Sequence, residues 1–536
     1  MSAPTADPSS TDGPSWLPRL PAAAGGVLAV AAALGFGHLT AGVVSPASSP
    51  FLAVGDVVIR FSPQFLTEFA KATFGVADKP VLLAGMAVVI TAVAAVAGLV
   101  SRRRPGPGLG VVAVLGMLGL AAVVVAPVFT ARDLLAPIVA LMVGLVTFAG
   151  LHALARRAHP TVTDAGAGGR AEAEAGVGSS RRALLIGCSA AVAVAALGAG
   201  LGGLVLAGVA EARQRVTDQL ARLRPVTARA PAIPAGAAFP ELGTPSFLTP
   251  NSQFYRIDVA LRVPAQRAQD WSMPIHGMVD NPFTLTFDDL LARPLVERTI
   301  TMTCVSNPVG GQLISTANFV GVELRELLLE AGVRPGADQI YSTSIDGWYT
   351  GTPTEVLLEP GRGALLAIGM NGEALPPEHG FPVRMVVPGL YGYVSATKWI
   401  VDMEATTFAA KTGYWLERGW AQQAPIKTQS RIDRPRGFET VPAGRVVVAG
   451  IAWSQPTGID TVEVRMDGGP WQAAELATEV SGHTWRMWRT AFDLAPGSHT
   501  VQTRATDGTG VTQTARRADP IPDGASGWPA TIFTTS

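Results

Sequence analysis

Two cysteines, Cys188 and Cys304, occur in 536 residues. That number excludes a disulfide-rich scaffold and any zinc or iron–sulfur centre built on four thiolates. Cys304 stands in Thr301-Met302-Thr303-Cys304-Val305-Ser306-Asn307-Pro308, where a strand-like run ends. By residue type it is either a small buried apolar side chain or a thiolate shielded by a metal, because an exposed thiol in an oxidising compartment is soon oxidised. No GxSxG elbow, GxxxxGK[ST] loop or HExxH helix is present. After residue 210 histidine is confined to His276, His379, His483 and His499, which argues against a histidine-rich metal centre.

Composition limits what can position these groups. Charged residues make up 15% and apolar ones 48%, with 59 Gly, and mean hydropathy is +0.30. Those values exclude a wholly soluble enzyme and a disordered chain. Lys+Arg and Asp+Glu are both 41, so no charge excess points to nucleic acid.

Five charge-free apolar runs predict transmembrane helices near 22–44, 80–100, 109–129, 134–155 and 183–209 within a 16–210 membrane region. A Pro/Ser-rich tail, 1–15, reads as disordered. Arg102, Arg103 and Arg104 and then Arg156, Arg157, Arg170, Arg181 and Arg182 mark two connections as cytoplasmic. An inside N-terminus then places everything after Ala210 on the extracytoplasmic side of the cytoplasmic membrane. His38 and His152 lie at opposite faces in this topology, so they cannot share an iron, and no haem is expected. Arg181-Arg182 before an apolar run reads either as a twin-arginine export signal or as a topological charge pair.

Residues 211–250 read as a Pro/Ala-rich tether. Beyond it, Ile257–Val263 and Arg298–Thr303 predict strands, Thr286 caps a short helix, and Val322–Ala331 predicts a helix ended by Gly332. This pattern makes 251–415 an α+β domain. From 416 to 536, short strands at 445–453, 461–466, 485–494 and 500–506 with Gly turns suggest an all-β immunoglobulin-like sandwich, a type of module used for binding or dimerisation.

Several motifs occur in order: Cys304 with Asn307; Asn318-Phe319-Val320-Gly321-Val322; Met370-Asn371-Gly372; His379-Gly380-Phe381-Pro382-Val383-Arg384-Met385-Val386-Val387-Pro388-Gly389; and Ser395-Ala396-Thr397-Lys398-Trp399. From Phe254 to Trp415 the chain resembles the sulfite oxidase family of molybdenum enzymes. Arg431-Ile432-Asp433-Arg434-Pro435 and Gly450-Ile451-Ala452-Trp453 are similar to that family's immunoglobulin-like C-terminal domain, which implies a possible homodimer. Nothing in the resemblance covers the helices.

The resemblance implies one molybdenum atom bound by Cys304 and by the dithiolene of a single molybdopterin. By motif position the pterin is contacted by Phe254, Tyr255, Arg256, Asp258, Asp346, His379, Arg384, Ser395, Ala396, Thr397 and Lys398, with Arg384 offering a planar fork to phosphate. Arg256 and Trp420 join Cys304 as catalytic candidates. This sequence departs from the family where paired arginines become Pro308 and Val309, where Arg-Asn-His becomes Arg256-Ile257-Asp258, and where a tyrosine becomes Trp420. A pocket with fewer cations and an added carboxylate should disfavour sulfite.

The expected function is therefore a membrane-anchored oxidoreductase that transfers two electrons or an oxygen atom and reduces a neutral oxide such as a sulfoxide. Sulfite oxidation is the alternative within the family. From another class, the alternative is a non-catalytic receptor or adhesion protein with a relic middle domain. Its expected partners are the lipid bilayer, a small-molecule substrate and an external electron donor or acceptor, protein or quinone.

Overall fold

A computed structural model of the chain describes residues 17–45, 48–63, 66, 69–70, 73–74, 77–126, 129–158, 171–206, 226–261, 263–264 and 266–536. The expected tail, 1–15, lies outside the described residues. The chain divides into two compact units, one of residues 1–209 with 260–262, the other of 210–259 with 263–536.

The first unit is helical: α1 (Arg19–Val44), α2 (Pro50–Phe61), α3 (Asp78–Val100), α4 (Gly106–Val124), α5 (Leu135–Ala158) and α6 (Ala171–Leu206). Among the described residues four helices are long and apolar enough to cross a membrane: Arg19–Val44, Asp78–Val100, Gly106–Val124 and Ala131–Arg157. The expected fifth span falls on α6, a continuous helix in which Ile186–Gly202 is a shorter apolar stretch among the described residues. Residues 207–209 of that expected span lie outside the described residues. The third span also stops early, at Val124.

Small residues let these helices approach closely. A Cβ on Gly26 of α1 would lie 2.0 Å from the Ala94 carbonyl oxygen of α3, and one on Gly98 would lie 1.9 Å from the Ala22 carbonyl oxygen. Backbone contact of this kind is how helices associate where apolar burial gives no drive. His38 Nδ1 lies 3.1 Å from Ser49 Oγ, and His152 stacks on Phe148 at 6.4 Å, so each has a packing role within the helical unit.

The second unit begins with two five-stranded sheets. One has the order β2-β1-β10-β5-β6, with β1 Ser272–Gly277, β2 Phe283–Thr286, β5 Gln339–Ser344, β6 Tyr349–Pro353 and β10 Ile400–Thr406. The other has the order β3-β4-β7-β8, with β3 Val296–Thr303, β4 Ile314–Glu323, β7 Leu365–Met370 and β8 Glu373–Ala374, and with β9 (Arg384–Val386) paired to β7. Trp271, Met273, Ile275, Leu285, Ile300 and Phe319 are fully buried among them. The helices Phe287–Ala292 and Leu324–Ala331 form where expected. Thr286 and Asp289 cap the first reciprocally, and left-handed Gly332 ends the second.

Of the strand expected over 257–263, the described residues 257–261 and 263 form none. No neighbouring strand offers a ladder, and Ile257 is 48% exposed. The expected tether is corrected likewise. Residues 211–225 lie outside the described residues, but 226–250 pack down: Phe239 and Phe247 are buried, and Thr227 N–H and Thr249 N–H donate to the carbonyls of Leu295 and Thr316, both at 2.8 Å. Its apolar residues find a core, and burial overrides proline content.

The C-terminal region is β-rich: β11 (Gln429–Arg434), β12 (Thr440–Val441), β13 (Gly444–Trp453), β14 (Ile459–Met466), β15 (Gln472–Ala473), β16 (Glu475–Leu476), β17 (Arg486–Leu494), β18 (Gly497–Asp507) and β19 (Ala530–Thr535). They form sheets ordered β11-β13-β17-β16 and β12-β19-β18-β14-β15. Val446, Val448 and Trp488 of one sheet share a core with Val462, Val464, Val501 and Phe533 of the other. Ile451, Trp453, Trp485 and Met487 instead enter the core of the preceding sheets, so this region is not a separately packed module.

Candidate active site

β3 delivers Cys304 to a turn. Cys304 N–H donates to the Leu313 carbonyl at 3.0 Å, Asn307 N–H donates back to the Cys304 carbonyl at 3.1 Å, and Asn307 Oδ1 accepts from Leu313 N–H at 2.9 Å. This explains the asparagine three residues after the cysteine: it staples the loop that presents the thiol. Cys304 is 9% exposed, and its Sγ lies 2.9 Å from Ser306 Oγ.

Tyr255 faces the same point. Its N–H donates to Ser315 Oγ at 3.1 Å. Burial, reinforced by Cys304, raises its phenol far above the ordinary range, while Arg384 opposes the rise. Phe254 stacks beside Tyr255 at 5.5 Å and meets the His379 ring edge-on at 5.4 Å. His379 Nε2 donates to the Asn251 carbonyl at 2.9 Å, and burial lowers its pKa to about 4, so the ring is neutral at pH 7.

Arg384 is 4% exposed, and its guanidinium lies 5.8 Å from the centre of the Phe319 ring and hydrogen-bonds to carbonyls: His379 at 3.1 Å, Ala396 at 3.4 Å and Met385 at 3.4 Å. Burial lowers its pKa to about 10. Among the described residues it has no carboxylate partner, although a buried cation without an anion is costly. Around it, Thr397 carbonyl accepts from Met385 N–H, Ser395 Oγ donates to the carbonyls of Leu390 and Tyr391, and Thr397 Oγ1 pairs with Ser342 Oγ at 2.7 Å. Thr303 Oγ1, next to Cys304, is buried with no hydrogen-bond partner among the described residues. A buried thiol, a guanidinium without a carboxylate partner and an orphaned hydroxyl fit an anionic cofactor with a thiophilic metal.

A second charged group flanks the first. Asp258, its side chain 4% exposed, accepts from Arg256 Nε at 2.7 Å and from Lys398 Nζ at 2.8 Å. Burial lowers Lys398 to about 8 despite that partner. Asp346 accepts from Trp348 N–H at 3.1 Å, and burial raises its carboxyl. Trp420 lies at 5.8 Å from the Tyr393 ring and 6.4 Å from that of Trp415.

The structure adds residues that motif reading missed. The Tyr391 phenol is raised to about 12, mainly by burial, with Asp523 and Cys304 adding to the rise. Gly524 adopts φ +96°, and a Cβ there would lie 2.6 Å from Tyr391 Oη. Lys427 Nζ donates to Asp523 Oδ1 and to the Gly524 carbonyl, both at 2.8 Å. The 520–525 loop of the C-terminal region thus closes on the tyrosine beside Cys304. The sequence carries for it only the turn signal Pro522-Asp523-Gly524.

Residues 260–415 match the family model described as "Oxidoreductase molybdopterin binding domain". "Uncharacterized oxidoreductase YuiH" of Bacillus subtilis is 34% identical over 150 residues, covering 28% of this chain and 72% of that protein. The chain belongs to the sulfite oxidase family of molybdopterin-dependent oxidoreductases. "Sulfite oxidase, mitochondrial" of Rattus norvegicus is 31% identical over 296 residues, 47% of this chain and 54% of that protein. The chain thus spans about half the length of that sulfite oxidase. The solved sulfane dehydrogenase SoxCD of Paracoccus pantotrophus is 23% identical, with TM-score 0.48 over 57% of this chain and 88% of that one. In this family setting, Cys304, His379 and Arg384 are the groups that could hold the molybdenum cofactor, as metal ligand, neutral acceptor and phosphate fork.

Proposed function

We propose that this chain is a membrane-anchored molybdopterin enzyme that reduces a neutral oxide, such as a sulfoxide, at a molybdenum ligated by Cys304. When bound, the molybdenum centre supplies two-electron, oxygen-atom-transfer chemistry. Arg384 binds the pterin phosphate and relieves its own buried charge. His379, neutral and with its one N–H fixed on the Asn251 carbonyl, leaves Nδ1 as an acceptor that adds no charge. Tyr255, protonated at all physiological pH, offers an O–H beside Cys304. Trp420, Tyr393 and Tyr391 make an aromatic wall that excludes water.

The observation that carries the neutral-substrate reading is Asp258, a buried carboxylate bonded to both Arg256 and Lys398. The cations that would attract an anion are already engaged, and Pro308 and Val309 supply none. Electrons would come from a protein or quinone partner. The arginines at 102–104 and 156–157 support an inside placement of those loops and an extracytoplasmic catalytic unit. The two C-terminal sheets support an immunoglobulin-like reading of that region.

Steady-state assays with artificial electron carriers test the proposal. Sulfoxide reduction should exceed sulfite oxidation in kcat/KM, and Cys304→Ser should abolish turnover while pterin stays bound. Full activity of the Cys304→Ser chain would sink the metal assignment, whereas faster sulfite oxidation would sink only the substrate assignment.

A further inference from the structure

On the sheet β2-β1-β10-β5-β6, three metal-ligating side chains converge away from the residues described above. His276 on β1 is the register partner of Glu404 on the parallel strand β10, and Asp402 lies two residues earlier on the same face of β10. His276 Nε2 lies 3.0 Å from Asp402 Oδ1, and ligand atoms of all three residues lie within 4.8 Å of one another. Atoms bound to one metal at ~2.1 Å lie no more than about 4.2 Å apart. Side-chain rotations smaller than an ångström therefore close the set.

We infer that His276, Asp402 and Glu404 form a surface site for a first-row divalent cation such as Zn2+ or Cu2+. One imidazole nitrogen and two carboxylates make a borderline donor set, poor for the all-oxygen preference of Mg2+ or Ca2+. The ligands stand on two hydrogen-bonded strands, so their spacing is set by backbone register rather than by a loop. Side-chain exposures of 40% for His276, 32% for Asp402 and 19% for Glu404 leave a path from solvent and open positions for water.

Lys411 is the competitor. Its ammonium pairs with Glu404 and lies 4.9 Å from the centre of the Tyr341 ring. Its side chain is 40% exposed, so it can swing into water when the cation takes the carboxylate. Two carboxylates against one ammonium leave the cluster net negative, which favours a dication over the lysine.

Titration of the purified full-length chain in detergent with Zn2+ by calorimetry, and with Cu2+ by electron paramagnetic resonance, tests the site. The wild type should show one saturable site with a single-nitrogen, oxygen-rich copper signal. His276→Ala should weaken it at least about a hundredfold and remove the nitrogen coupling. Lys411→Met, which leaves all three ligands, should tighten it, and this keeps the test valid if His276→Ala perturbs folding. Equal affinity in wild type and His276→Ala, absence of any saturable site, or weaker binding in Lys411→Met would overturn the inference. None of these readouts depends on the molybdenum cofactor.

Discussion

Trp485 N–H donates to Thr301 Oγ1 at 2.8 Å, joining the C-terminal sheets to the strand that ends in Cys304. Thr301 N–H also donates to the His483 carbonyl at 3.0 Å, and the Thr301 carbonyl accepts from Gln455 Nε2 at 3.1 Å. Three residues before the thiol, every polar group of one threonine is thus held by the C-terminal region. That region acts as a brace for the strand that presents Cys304.

Replacing Thr301 by Val keeps shape but leaves the buried Trp485 N–H without an acceptor, a loss of about 1–3 kcal/mol. The Thr316 hydroxyl, 2.5 Å from Thr301 Oγ1, loses a partner as well. Thermal unfolding of the Thr301→Val chain should begin at lower temperature, and purified protein should retain less molybdenum. An unchanged midpoint would show that the brace is redundant.

This brace was not legible in the sequence, because Thr301 and Trp485 are 184 residues apart and local periodicity carries no pairing information. Cys304, His379 and Arg384 were legible as candidates from their motifs, and the structure buries all three. Asp523 and Gly524 were not: an Asp-Gly turn serves any hairpin, and only the fold brings this one to Tyr391. The fifth expected span stands differently: it falls on α6, where the apolar stretch among the described residues is Ile186–Gly202 and residues 207–209 lie outside them. Phe239 and Phe247 were the overlooked signal against a free tether.

Arg384 should have opposite effects in the two states of the protein. Without cofactor it is a buried cation facing carbonyls, so Arg384→Met should leave the cofactor-free chain as stable or more stable. With cofactor, the same change removes the phosphate fork and should empty the site of pterin. Unfolding of the cofactor-free chain and pterin fluorescence of the purified protein measure the two effects separately. Loss of stability without loss of pterin would contradict the assignment.

His379 predicts a pH dependence in the cofactor-free chain. Its folded pKa of about 4 lies below the ordinary 6.5, so between those values the unfolded state binds more protons. The stability it contributes is present above pH 6.5 and is lost as pH falls towards 4, by about 3 kcal/mol at most. His379→Gln keeps a donor for the Asn251 carbonyl but cannot titrate. Between pH 7 and pH 4.5 its midpoint should fall less than that of the wild type, and parallel curves would show that His379 does not titrate as its burial dictates.

The last prediction concerns Asp258, whose carboxylate engages Arg256 and Lys398 together. Sulfite needs cations to replace its water, and desolvating it without them costs several kcal/mol. Asp258→Asn keeps the side-chain shape while freeing both cations, which would then face whatever anion enters. Opposite charges a few ångströms apart at a partly buried site attract by on the order of a few kcal/mol. Sulfite kcat/KM should therefore rise at least about tenfold in Asp258→Asn, chiefly through a lower KM, while kcat/KM for a neutral sulfoxide stays level or falls. Because Lys398 is already depressed to about 8 with Asp258 holding it up, losing that partner should depress it further, and the sulfite gain should fade as pH rises towards 8. If sulfite and sulfoxide respond alike, Asp258 has only a positioning role and the charge filter lies elsewhere, with Asp523 at the Tyr391 side of the site as the next residue to change.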